Sequence, residues 1–275
     1  MVHRMLGGHQ GPWPEGPDEG LYDARVGAAS YAPIVGAFGA LAVTAIVVVF
    51  TVASDASRVL IALATGLLVV GVFGSVMGSF GLAAIGAERD RTANIVPSIM
   101  FIAIPVAISI IAILGAFEVL ARIYAPDAVP LFAFITGVGG VFAIWLNALG
   151  IGDATGFHPT TMTPQELDEW RGRQWLKSRR DAYRAANIIG GISVVPAIVG
   201  TVIRMSGVNV GLSQTEVNVI VGSAIGLTVV GTFLGLNRTK HPETGNDQQS
   251  LRCWEAWATP LAIGIYVLFL MIALP

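Results

Sequence analysis

Residues 95–120 read IVPSIMFIAIPVAISIIAILGAFEVL, and Glu118 is the only ionisable side chain among them. A helix rises about 1.5 Å per residue, so some twenty such residues cross the ~30 Å hydrocarbon layer of a bilayer. The run is much longer than a core strand and apolar on every side, which suits a helix surrounded by other helices or by lipid. Comparable runs occur at about 31–53, 59–82, 128–150, 187–206, 217–236 and 256–274. In lipid a helix pairs its own backbone groups, whereas an open sheet leaves its edges unpaired. The expected fold is therefore all-α: a polytopic transmembrane helical bundle of about seven spans, forming a single domain over 30–275.

Composition supports this. Of 275 residues 54% are hydrophobic and 12% charged, where soluble chains carry about 25% charged residues. Residues 1–29 are rich in Gly and Pro and lack the apolar core of a signal peptide, so they read as a flexible cytoplasmic tail before an uncleaved first span. Cys253 is the single cysteine, which excludes an intrachain disulfide. A formal net charge of −2 gives no reason to propose nucleic acid as a partner.

The basic residues set the orientation. Thirteen of the sixteen Lys and Arg fall in the tail and in the second, fourth and sixth connections; only Arg58, Arg122 and Arg204 lie on the other side. Positive residues favour the cytoplasm, so the chain is expected in the plasma membrane with its N-terminus cytoplasmic and its C-terminus outside. The densest cluster is the stretch 163–186, TPQELDEWRGRQWLKSRRDAYRAA. Thr163, Pro164 and Glu166 fit a capping box, so an amphipathic helix is expected over about 164–186, continuing into the fifth span. Arg173, Lys177, Arg180 and Arg184 share one face of it. That stripe suits anionic membrane lipid or a partner protein, and serves equally as an orientation signal with a solvated face.

Two spans share a string, Gly66-Leu67-Leu68-Val69-Val70-Gly71-Val72-Phe73 and Gly226-Leu227-Thr228-Val229-Val230-Gly231-Thr232-Phe233. With a weaker echo of Pro33–Gly36 around Pro196–Gly200, it marks a candidate parallel 3+1+3 internal repeat. The layout resembles that of SWEET-type sugar transporters, whose halves are parallel repeats. The orientation here is opposite and that family's motifs are absent, so the resemblance is one of plan and implies no function.

Spacing by four places Gly71 with Ser75, Gly74 with Gly78, Gly222 with Gly226 and Gly231 with Gly235 on single helix faces. These are helix-packing seams by expectation, or faces toward a path or another subunit. Pro105 and Pro196, the latter near Gly190 and Gly191, are candidate helix breaks offering backbone polar groups to a solute. Asn147 is the deepest strongly polar side chain, open to interhelical hydrogen bonding or solute contact. Glu118 reads as an ion pair with Arg122 at i+4, and Arg204 as a side chain reaching out to the interface.

Chemistry is sparse. The histidines, His3, His9, His158 and His241, all lie in the tail or connections, so no span offers a haem ligand or a metal site, and no cofactor is expected. His158 with Glu166 and Asp168, or His241 with Glu243 and Asp247, are the only loop constellations. Three readings follow: a transporter-like protein binding or moving a small neutral or lipophilic molecule, a non-catalytic subunit of a larger membrane complex or a homo-oligomer, and a membrane-embedded lipid-modifying enzyme using Glu118.

Overall fold

The computed structural model describes residues 24–52, 58–87, 95–154, 164–206, 214–240 and 251–274. Seven helices fill them: α1 (Ala24–Val52), α2 (Arg58–Gly86), α3 (Ile95–Tyr124), α4 (Val129–Ala154), α5 (Pro164–Met205), α6 (Gln214–Lys240) and α7 (Cys253–Ala273). A 3-10 turn over Pro126–Ala128 joins α3 to α4. Each helix contains a segment long and apolar enough to cross a membrane, and no strand occurs among the described residues. The chain thus has the make-up of a multi-pass membrane protein. Most of the tail 1–29 lies outside the described residues, and α1 reaches back into it as far as Ala24.

The long fifth helix begins at Pro164, where the missing N–H of proline costs nothing, and runs unbroken for 42 residues. Its apolar part is Arg180–Met205. Neither Pro196 in α5 nor Pro105 in α3 breaks its helix, which corrects the expectation of discontinuous spans. At Pro105 the reason is visible. Proline withholds the N–H that would pair Phe101 O, and α6 covers that carbonyl: a Cβ on Gly231 would lie 3.0 Å from Phe101 O and 3.1 Å from the Pro105 ring.

Helix α3 is the most buried span. Its seam with α2 is built from the small residues anticipated in sequence. A Cβ on Gly74 would stand 2.8 Å from Pro105 O, and those on Gly71 and Gly78 would meet Ile113 and Val106. Ser109 Oγ donates to Gly71 O at 2.7 Å. Its one proton is then committed, so in the 2.5 Å contact between the two hydroxyls Ser75 donates to Ser109. On the other flank Gly231 and Gly235 of α6 reach the α3 backbone at Phe101 O and Ser98 O.

The helices form two groups. Helices α1, α2, α3 and α6 pack together, α4, α5 and α7 pack together, and the groups meet mainly where α3 lies on α4 and α7. Sequential triplets are not the packing units: α1 lies along α2, while α5 makes no approach to α6 among the described residues. The shared string also sits in unlike places. Gly66 faces Val221 and Gly71 faces Ile113, but Gly226 opens outward with nothing within 4 Å of a Cβ. Gly222 does the same, so the expected Gly222/Gly226 seam meets no partner among the described residues, whereas Gly231 and Gly235 do pack.

Candidate functional site

Among the described residues, backbone-level glycine contacts occur inside the two groups and not across the junction between them. Inside the groups some glycines meet backbone: Gly74 at Pro105 O, Gly231 at Phe101 O, Gly264 of α7 at Ser193 O, and Gly200 of α5 at Leu268 Cα. Others there meet side chains, such as Gly66 at Val221, Gly137 at Thr201 and Gly140 at Val267. Across the junction they meet side-chain ends. Gly150 of α4 faces Met100, Gly139 of α4 faces Leu114, and Gly115 of α3 faces Leu270.

Three polar ties bridge this junction. At one end Arg204 Nε of α5 donates to Glu118 Oε1 of α3 at 2.6 Å, with side-chain exposures of 6% and 1%. No pair of Cα atoms in α3 and α5 comes within 8 Å, so this ion pair spans helices that otherwise stand apart. The pairing corrects one expectation and adds to another. Arg204 is buried against Glu118 instead of extending outward, and Glu118, attracted also by Arg122, is hydrogen-bonded by Arg204, 86 positions away in sequence. Burial explains the choice: two charges withdrawn from water are tolerable only when they face each other closely.

At the other end, Arg238 Nη2 of α6 stands 3.5 Å from Glu255 Oε2 of α7. The same carboxylate oxygen accepts the Arg252 backbone N–H at 2.8 Å and so holds the first turn of α7. Close to this level Asn147 Nδ2 of α4 donates to Met100 O of α3 at 2.8 Å, and Phe101 leans on Trp254 with ring centroids 5.9 Å apart. Met100 and Glu118 lie 18 positions apart on α3, which at about 1.5 Å per residue puts the two charged ties about 27 Å apart. That is close to a hydrocarbon thickness.

Between the ties the junction is apolar, lined by Leu114, Ile144, Val267 and Leu270. Several buried oxygens on its helices lack a hydrogen-bond partner: Glu118 Oε2, Asn147 Oδ1 and Tyr266 OH. Asn147 is 4% exposed and placed on the α3–α4 seam. Pro105 is occupied by α6 as described, and Pro196 is half-buried one turn beyond Ser193. The structure therefore brings only Asn147 of the three candidate solute contacts to the junction with an unfilled polar valence.

Arg180 and Arg184 are exposed on α5. The side chains of Arg173 and Lys177 lie outside the described residues, as do His158, Glu166, Asp168, His241, Glu243 and Asp247. Among the described residues no group of three or more His, Cys, Asp or Glu could hold a metal ion. Glu118, the acid of the enzyme reading, is shut from solvent and committed by one oxygen to Arg204. The sequence signal missed was the Arg238–Glu255 pair, whose members flank one short connection.

No protein-family model, curated protein or solved structure matches this chain.

Proposed function

We propose that this multi-pass membrane protein is transporter-like, binding or moving a small neutral or lipophilic molecule at the junction of α3, α4 and α7. The observation that carries the reading is the division into two internally interlocked groups, meeting over an apolar seam with a polar tie near each end. Relative movement of such groups opens a seam to one side at a time, as in rigid-body alternating access. The middle of the seam favours uncharged cargo, because apolar side chains line it and no ion pair lies there, while the unpaired Asn147 Oδ1 stands toward the Glu255 end. The reading places the N-terminus in the cytoplasm of a cell whose plasma membrane holds the protein, and it does not need an internal duplication.

The test starts with purified protein in nanodiscs and a panel of uncharged probes: sugars, polyols, quinones and sterols. A probe that raises the melting temperature is then followed into proteoliposomes, where Asn147→Ala is expected to cut uptake at least several-fold. A stabilising probe whose uptake ignores Asn147→Ala would remove Asn147 from the site. If no probe stabilises the protein and native mass spectrometry finds a stoichiometric partner chain, the subunit reading replaces this one. One observation favours that second reading: Asn218, Gly222 and Gly226 face outward on α6, where small residues allow another helix to approach closely.

A further inference from the structure

Two ion pairs, one buried and one part-buried, stand at opposite ends of one junction, which invites the question of what each does when the other is intact. The Glu118–Arg204 pair ties α3 to α5, and the Arg238–Glu255 pair ties α6 to α7. Each therefore joins one helix of the α1–α2–α3–α6 group to one of the α4–α5–α7 group. Neither pair supports a seam inside a group, where glycines meet both backbone and side chains of the neighbouring helix. Across the junction the contacts at Met100, Leu114 and Leu270 are made by side chains, so no backbone contact at a glycine has to be given up for it to open. A rigid group can thus pivot about one tie while the other parts.

We propose that the two ion pairs are alternating latches: parting of Glu118 from Arg204 opens the junction at one membrane face while Arg238–Glu255 keeps the other closed, and the reverse. The latches give the transport reading its gates and rest on that reading. Glu118 Oε2 lacks a partner even in the closed arrangement, so a hydroxyl or water entering there finds an acceptor as the latch opens. The carboxylate at the other end stays anchored to the first turn of α7 through Arg252 N–H, so opening there releases Arg238 and leaves Glu255 in place.

Spin-label distances in the full chain in nanodiscs, on a Cys253→Ser background, test this. One label pair replaces the exposed Tyr124 of α3 and Met205 of α5; the other replaces the exposed Asn187 of α5 and Asn237 of α6. Glu118→Gln is expected to add a longer population to the first distance and leave the second unchanged. Arg238→Gln is expected to do the opposite, and the exchange Glu118→Arg with Arg204→Glu to restore the short first distance. Where Glu118→Gln does not fold, Glu118→Asp, shorter by one methylene, reads the same distance. Unchanged distances in both neutralised variants, or lengthening at both ends in either, overturn the latches. No solute is present, so uptake can fail while the latches stand, and the latches can fail while uptake is found.

Discussion

Neutralising Glu118 tests the electrostatics of the junction most directly. Glu118→Gln keeps the shape of the side chain and takes the Glu118 charge away from the buried Arg204 guanidinium. With the charge centres about 4 Å apart and an effective dielectric constant near 20, the lost attraction is about 4 kcal/mol. Removing one member of a buried pair costs about 3–5 kcal/mol by mutational precedent, in agreement. At about 1.4 kcal/mol per decade, the unfolding equilibrium shifts by roughly two to three and a half decades. Arg204→Gln is expected to cost as much, and Glu118→Gln with Arg204→Gln less than either alone, because no charge is then stranded. Equilibrium unfolding in mixed lipid–detergent micelles, followed by tryptophan fluorescence, supplies the double-mutant cycle. Arg122→Gln is the control for the local i+4 pairing and is expected to cost less than Arg204→Gln. Single-variant losses below about 1 kcal/mol, the range of exposed pairs, or a double variant equal to the sum of the singles, would refute the buried pairing.

Three further outcomes follow from the same geometry. Gly74→Ala puts a Cβ 2.8 Å from Pro105 O and is expected to destabilise by about 1–3 kcal/mol in the same unfolding assay, whereas Gly226→Ala enters open space and should stay within about 0.5 kcal/mol. Replacing both Glu118 and Arg204 by Leu is expected to leave the protein as stable or more so, by up to about 4 kcal/mol, while lowering uptake of the probe molecule, since an apolar contact holds the junction without a charge that can leave it. Topology reporters fused after residue 275 are expected to show alkaline phosphatase activity and no green fluorescence; the reverse pattern would invert the orientation read from the basic residues.

The seven helices were legible because lipid imposes a length and an apolar content that no connection in this chain imitates. Legibility stopped where a helix must choose a face. Gly71 with Ser75 and Gly222 with Gly226 have the same spacing, yet the first pair is buried against neighbouring helices and the second opens outward. A helix apolar on every side carries no amphipathic signal to say which stripe is inside. Glu118 shows the same limit differently. Sequence proximity suggested Arg122, one turn away, which does attract the carboxylate, but depth in the bundle and helix rotation add Arg204 as its hydrogen-bonded partner. Asn147 was legible as a buried polar group, since few others occur in the spans; that one oxygen would be left unpaired on the α3–α4 seam was not.

The contrast between seams explains why charge sits where it does. Where Gly74, Gly231 and Gly264 let backbones touch, association needs no charge, because close packing over many atoms suffices even without a hydrophobic driving force in lipid. The junction of α3 with α4 and α7 lacks that intimacy. It needs ties that are strong when made, specific in register, and confined to its ends, where water is near enough to solvate a parted carboxylate and guanidinium. Ion pairs at the level of Glu118 and of Glu255 meet all three conditions. A pair at mid-depth, beside Ile144 or Val267, would meet only the first two, since parting there would strand both charges in hydrocarbon. The middle of the junction is accordingly apolar, and the unpaired amide oxygen of Asn147 stands toward one end of it.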